Sequence, residues 1–120
     1  MSSNIKRSVL LQLARDSIQE VLEAKNSIDK AVLLKQHPLL TQAIETTLNI
    51  YINSELRGSS KSQTHPSSLI DEIIINAKKA AFEDSDFLPL STSEYLGSEI
   101  EIILQTPEGV ISEKDPAIIQ

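Results

Sequence analysis

Two segments at 46–53 and 55–60, TTLNIYIN and ELRGSS, decide the fold that this sequence predicts. In the first segment, apolar and polar residues alternate, which is the period of a strand with one buried face. The apolar positions of this alternation are Leu48, Ile50 and Ile52. Because Asn53 and Ser54 favour a turn, the second segment is predicted to return as the antiparallel partner of the first.

The register of this hairpin depends on the length of its loop. A two-residue loop would place Leu56 opposite Tyr51, on the polar face of the sheet. A three-residue loop, residues 53–55, would place Leu56 opposite Ile52, on the apolar face. We predict the longer loop, since a slip of one residue moves every side chain to the other face.

Two segments at 4–25 and 68–83 have the apolar period of amphipathic helices. Asn4 is the expected N-cap of the first helix, and Ser68 with Asp71 has the spacing of a capping box at the start of the second. The apolar stripe predicted for the first helix consists of Leu10, Ala14, Ile18, Val21 and Leu22.

Shorter elements are indicated by local capping signals. Asp29 is placed to cap a short helix, and Pro38 interrupts that helix and can open a further turn. Ser91 and Glu94 have capping-box spacing before about one helical turn, which Gly97 would end.

The last third of the chain predicts one more strand. Within residues 99–106, the aliphatic Ile100, Ile102 and Leu104 alternate with the polar Glu99, Glu101 and Gln105. Val110 and Ile111 are expected to pair only briefly before the chain frays. Phe87 and Leu88, in the loop after the second main helix, are expected to point inward.

Together these elements predict an α+β fold. Its antiparallel sheet contains a hairpin near 46–60 and a strand near 99–106, and the helices near 4–25 and 68–83 pack on one face of that sheet.

Composition excludes several functions. The chain has 120 residues, and its net charge of −6 and its four aromatic residues disfavour nucleic-acid binding. No cysteine is present, which excludes a thiol nucleophile or a thiolate metal site and favours a cytoplasmic location. No stretch approaches the roughly 20 apolar residues of a membrane span, and no signal peptide is recognisable.

Catalytic and metal-binding motifs are not recognisable either. His37 and His65 are 28 residues apart and neither has a second ligand nearby at metal-binding spacing. The acidic run at 83–86 does not have the pattern of a calcium loop, and residues 27–30 match S-x-x-K without its companion motifs. We therefore predict no catalytic residues, no metal and no cofactor.

One cluster, at 55–61, suggests a binding site. It combines hydroxyls and local positive charge on an acidic chain, which suits an anion or a carboxylate of a partner. A glycine in a strand also often marks a bulge or a close backbone approach. The candidate binding residues are Glu55, Arg57, Gly58, Ser59, Ser60 and Lys61. An ordinary hairpin with an exposed arginine is the alternative interpretation.

Four segments resemble the AMMECR domain family in order and spacing. LLQLARDSI at 10–18 is similar to the opening helix of that family, and NSELRG at 53–58 is similar to its strand–turn–strand signature. LIDEIIINAKKAAFEDSDFLPLS at 69–91 resembles its central helix and following loop, and EIEIILQTPEGV at 99–110 resembles a later strand. The resemblance covers roughly residues 10–111 and implies a single AMMECR-like domain over 1–120.

The sequence also departs from the family pattern. Ser59, Ser60 and Lys61 occupy the positions of Cys, Ile and Gly in the L-R-G-C-I-G signature, and Asp86 occupies an arginine position. Family domains continue further, so this chain is expected to lack a C-terminal portion. The resemblance carries over only Arg57 and Gly58, with the flanking Glu55, as site residues.

The resemblance implies protein partners rather than a defined reaction. The family belongs to a system with a Memo-type protein and a radical-SAM protein. We therefore expect a non-catalytic binding or partner protein, with the alternative of an enzyme component that binds a small molecule or anion at Arg57. An exposed sheet edge or apolar face, with Ile103, Ile118 and Ile119 in the contact, would also permit a homo-oligomer.

Overall fold

The computed structural model describes residues 7–119, which form one antiparallel sheet with helices on one face. The helices of this region are α1 (Val9–Glu23), α2 (Lys30–Gln36), α3 (Leu69–Phe82) and α4 (Thr92–Leu96), with a 3₁₀ turn at Pro38–Thr41. The strands are β1 (Glu45–Ile52), β2 (Glu55–Lys61), β3 (Ser98–Thr106) and β4 (Gly109–Asp115). Their spatial order is β2-β1-β3-β4. The predicted α+β class is confirmed.

A single aliphatic core lies between the sheet and the helices. Helix α3 packs against β1 and β2, while α1 packs along α3 and β3. The largest side chains of this core, apart from Tyr95, are isoleucines and leucines such as Ile50, Ile73 and Ile100. Within the described residues, none of the helices is long and apolar enough to cross a membrane.

Helix α1 begins later than the sequence predicted. Its N-cap is Ser8, whose hydroxyl accepts a hydrogen bond from the N–H of Leu11, and the predicted cap Asn4 lies outside the described residues. The buried face is also rotated from the predicted stripe, because Leu11 and Leu13 are buried whereas Val21 is exposed.

The turn between β1 and β2 contradicts the predicted three-residue loop. It has two residues, Asn53 and Ser54, with φ of 52° and 67°, which is the left-handed geometry of a tight hairpin. Leu56 consequently lies opposite Tyr51 and is exposed. The prediction placed the extra residue in the loop, at Glu55. In the structure Glu55 pairs with Ile52, and the extra residue is Arg57, within β2.

Arg57 forms a β-bulge that restores the burial pattern of β2. Tyr51 pairs with Leu56 and Ile50 pairs with Gly58, so Arg57 is left over between them. This bulge turns Gly58 toward α3. A Cβ on Gly58 would lie 2.1 Å from the carbonyl oxygen of Ala80, so the close approach of α3 requires glycine there.

The capping predictions had mixed outcomes. Asp29 caps α2, and Ser91 with Glu94 forms the predicted capping box of α4. Ser68 occupies the N-cap position of α3 without a side-chain cap bond, so its predicted box with Asp71 is wrong. The remaining helix-start prediction is confirmed, since Pro38 opens the 3₁₀ turn.

The last strand is longer than predicted because a buried ion pair holds its end. Strand β4 pairs with β3 along its whole length and ends at Asp115, which accepts a 2.6 Å hydrogen bond from Nε of Arg15. The Arg15 guanidinium also donates to the carbonyl oxygens of Ser98 and Pro116, and it lies 5.2 Å from the ring centre of Tyr95. Helix α1 is thereby joined to the far edge of the sheet.

Candidate functional site

Exposed apolar side chains and two clefts gather at the end of the sheet beside the β1–β2 turn. A cleft of about 370 Å³ lies on one side of this turn and a cleft of about 420 Å³ on the other, and Ile52 and Asn53 line both. The term hairpin-end surface is used here for Ile52, Leu56, Arg57, Phe87, Glu94 and Ile119.

Arg57 is held in the first cleft by a carboxylate from α4. Its Nε donates to Oε2 of Glu94 at 3.0 Å, and its Nη2 donates to Oε1 of Glu94 at 3.1 Å. Nη2 also donates to the carbonyl oxygen of Leu88 at 2.8 Å, and the guanidinium lies 5.2 Å from the ring centre of Phe87. This two-point pairing fixes the plane of the guanidinium.

Glu94 is positioned by the capping box of α4. Its side chain accepts from the N–H of Ser91 while its own N–H donates to the Ser91 hydroxyl. The hydrogen bonds from Arg57, and then the one from Ser91, lower the pKa of Glu94 below its usual value. The carboxylate therefore stays ionised at neutral pH, and Arg57 faces it rather than a free anion.

The predicted binding residues are divided between different surroundings. Glu55 and Arg57 line the first cleft, whereas Gly58 faces α3 and has no side chain to offer. Lys61 is exposed at the other end of β2 and lines a separate cleft. Their role as binding residues stays a prediction, but the structure does not bring the six residues to one point.

The two hydroxyls of the cluster are already bonded within the protein. Ser59 donates from its hydroxyl to Oδ1 of Asn49 and from its backbone N–H to Oδ2 of Asp84. Ser60 donates from its hydroxyl to Oδ1 of Asn76. The alternation of a strand explains this separation, since neighbouring residues point to opposite faces.

The residues that surround Arg57 were missed at the sequence level. Phe87 and Leu88 were predicted to point inward, but both are exposed, and Leu88 is 82% exposed. Glu94 was recognised only as a capping residue. The sequence carries no signal that would pair Arg57 with Glu94, because the contact depends on where α4 lies against the hairpin.

The helix-free face of the sheet carries a polar network. Asn49 and the hydroxyl of Tyr51 both donate to Oε1 of Glu101, at 3.0 and 2.9 Å. This bond to Glu101 raises the pKa of Tyr51. The ammonium of Lys114 lies 4.6 Å from the centre of the Tyr51 ring. These groups satisfy one another, so the network stabilises the sheet and offers no free reactive group.

Metal ligands are not clustered in the part of the chain that the structure describes. Among residues 7–119, no three His, Asp or Glu side chains are close enough together to hold a metal ion. The side chains of the hairpin-end surface offer apolar contact, hydrogen bonding and charge pairing.

A model of the AMMECR1 family matches residues 11–118, so the chain belongs to the AMMECR1 family. The resemblance that the sequence segments suggested is confirmed. No curated protein matches the chain.

Solved structures share this fold. One of them, the uncharacterised protein PH0010 from Pyrococcus horikoshii, superposes with a TM-score of 0.72 at 24% sequence identity. The similarity covers 82% of this chain and 50% of the Pyrococcus chain. The chain thus spans half the length of that relative.

Proposed function

We propose that this AMMECR1-family chain is a non-catalytic binding protein that contacts a protein partner through the hairpin-end surface. The observation that supports it most is the collection of exposed apolar side chains at one end of the sheet. Leu56 is 48% exposed, Phe87 is 38% exposed and Ile119 is 59% exposed. Apolar side chains grouped around clefts are typical of contact surfaces.

Charge favours a partner segment with a basic residue. The carboxylates of Glu55, Glu94 and Glu99 line the two clefts. Glu94 is paired with Arg57 and Glu99 with Lys114, so Glu55 is the one of the three without an ion pair among the described residues. A segment that combines apolar side chains with a lysine or arginine would complement this surface. The Memo-type and radical-SAM proteins that the family resemblance implies are the first candidates. A cytoplasmic location is part of the proposal and rests on the cysteine-free composition.

The experiment compares two double variants that remove exposed apolar side chains from different places. Leu56→Ser with Phe87→Ser changes the hairpin-end surface, while Val110→Ser with Ile111→Ser changes exposed residues of β4. Binding to the purified Memo-type and radical-SAM proteins of the same organism is measured by biolayer interferometry. We expect the first pair to weaken binding about tenfold or more, and the second pair to leave it unchanged.

Three outcomes contradict the proposal. Loss of binding only in the β4 variant would place the contact at the sheet edge. No binding of the parent chain to either candidate protein would remove the partners named here. Sedimentation that shows a dimer of the parent chain, lost in Leu56→Ser with Phe87→Ser, would make a second copy the occupant.

The alternative function is an enzyme component that binds an anion at Arg57. The cleft beside Arg57 supports this alternative. The ion pair between Arg57 and Glu94 opposes it, because the guanidinium already binds a carboxylate. Glu94→Gln would release Arg57, so thermal shifts with small carboxylates and phosphate would distinguish the two proposals. Stabilisation of the parent chain by such an anion, abolished by Arg57→Gln, would favour the alternative.

A further inference from the structure

A third cleft, of about 210 Å³, lies between the end of β2, the loop at 62–68 and α3. Three basic side chains from these three places line it: Lys61 from β2, His65 from the loop and Lys79 from α3. This Lys61–Lys79 cleft is separate from the hairpin-end surface.

The lysines of this cleft have no carboxylate partner among the described ion pairs. Elsewhere in residues 7–119, six basic side chains do lie within 4.0 Å of a carboxylate oxygen: Arg7, Arg15, Lys30, Arg57, Lys78 and Lys114. On a chain with a net charge of −6, two lysines and a histidine beside one cleft form a local basic patch.

A buried carboxylate shapes the wall of the cleft without leaving an oxygen unoccupied. Oε1 of Glu72 accepts from the hydroxyl of Ser62 and, at 3.1 Å, from the amide of Asn76. Oε2 accepts from the N–H of Ser67 at 2.8 Å. Three hydrogen bonds thus hold the Glu72 carboxylate in the wall of the cleft.

The hydroxyl of Ser60 belongs to the same network, since it donates to Oδ1 of Asn76 at 2.6 Å. Of the cluster that the sequence singled out, Lys61 lines this cleft, and Ser60 only bonds to Asn76 in its wall.

We propose that the Lys61–Lys79 cleft binds a small phosphate-type anion, either inorganic phosphate or the phosphate group of a monoester. Lysine ammonium groups are strong donors to phosphate oxygens, and the exposed Ser67 supplies a hydroxyl. The volume is below that of pockets for drug-sized ligands, which reach roughly 300–1,000 Å³, so the cleft suits one phosphate group and not a whole nucleotide.

The test is a titration of the ¹⁵N-labelled full chain with inorganic phosphate at constant ionic strength. Binding is monitored through the chemical shifts of the backbone amides. Saturable shifts are expected for residues 61–67 and 76–79. A parallel titration with O-phosphoserine separates the two sources, because a monoester site would saturate at a lower concentration of phosphoserine than of free phosphate.

The variants are chosen to separate local binding from overall charge. Lys61→Gln with Lys79→Gln removes both cleft lysines, and Lys25→Gln with Lys35→Gln removes two exposed lysines elsewhere. We expect the first pair to weaken phosphate binding about tenfold or more, and the second pair to bind as the parent does. Exposed lysines are not needed for folding, so both spectra should remain those of the folded chain.

Two results would overturn the proposal. One is a set of shifts that grows with phosphate concentration without saturating. The other is an equal loss of affinity in both double variants, which would show that net charge and not the cleft governs binding.

Discussion

The ion pairs Arg15–Asp115 and Arg57–Glu94 have the same ionic groups but differ in burial. In each pair the arginine reaches a carboxylate of a distant element and lies 5.2 Å from the centre of an aromatic ring. The side chains of Arg15 and Asp115 are 0% and 4% exposed, whereas those of Arg57 and Glu94 are 14% and 37% exposed. Burial therefore makes the first pair part of the core and leaves the second at a surface where a partner can contact it.

Burial changes the free-energy cost of removing one charge of an ion pair. A buried charge without its counterion cannot regain water, so the remaining group carries a large desolvation cost. A half-exposed charge is solvated when its partner is removed, and its stabilising contribution is small. The first pair should matter for stability and the second for recognition.

The largest effect is expected from Asp115→Ala. This change leaves Arg15 buried and charged, with only the carbonyl oxygens of Ser98 and Pro116 as its strong acceptors. We expect the free energy of unfolding to fall by about 3–5 kcal/mol, measured by urea denaturation. Glu99→Gln, which removes the half-buried partner of Lys114, is the control and should cost below about 1 kcal/mol. A small loss for Asp115→Ala would contradict the assignment of this pair to the core.

The next effect concerns the backbone that presents Arg57. Gly58→Ala would push a Cβ to 2.1 Å from the carbonyl oxygen of Ala80, so α3 or β2 must shift. We expect a loss of about 3 kcal/mol in the free energy of unfolding.

Gly97→Ala is the matched control for Gly58→Ala. The nearest atom to a Cβ at Gly97 is 3.8 Å away, so this variant should lose below about 1 kcal/mol. Equal losses in the two glycine variants would contradict the close approach of α3 to the bulge.

The side chain of a third carboxylate, Glu20, is 10% exposed, which lies between the values for Asp115 and Glu94. Burial alone would raise the pKa of Glu20, but hydrogen bonds from the N–H groups of Ile28 and Ser27, together with Lys78, lower it below 4.5. A pKa lowered by folding adds stability above about pH 4.5, which is lost as the pH falls through the folded value.

Glu20→Gln should therefore cost about 1 kcal/mol near neutral pH and flatten the loss of stability in acid. The measurement is urea denaturation at several pH values from about 7 to about 3. Glu23→Gln removes an exposed carboxylate from the same helix and controls for net charge. An acid profile of Glu20→Gln that is as steep as that of the parent would rule out this role.

The smallest effect on stability is expected from Glu94→Gln. It removes the charge that faces Arg57 at a position where the Glu94 side chain is 37% exposed, so the loss should be about 1 kcal/mol or less. The same variant should change partner binding, because the orientation of Arg57 at the hairpin-end surface depends on Glu94. Urea denaturation measures the free energy of unfolding, and the interferometry assay measures partner binding. A loss of stability as large as that of Asp115→Ala would contradict the difference proposed between the two ion pairs.

Local features of the fold were predictable because their causes lie within a few residues. Alternation at Leu48, Ile50 and Ile52 predicted β1 correctly, and the capping box of Ser91 and Glu94 predicted the start of α4. The glycine at 58 indicated a bulge or a close backbone approach, and both are found there. Alternation within β2 did not show that Arg57 is the extra residue, because its position depends on the fit of Gly58 beneath α3.

Periodicity, composition and the order of short motifs were enough to predict most helices and strands, the aliphatic core and the family. Tertiary structure alone decided what Arg57 contacts and which arginine is buried. Glu94 is 37 residues from Arg57, and Asp115 is 100 residues from Arg15. Periodicity and capping act over a few residues, whereas the pairing of such distant charges follows from how helices and strands pack together.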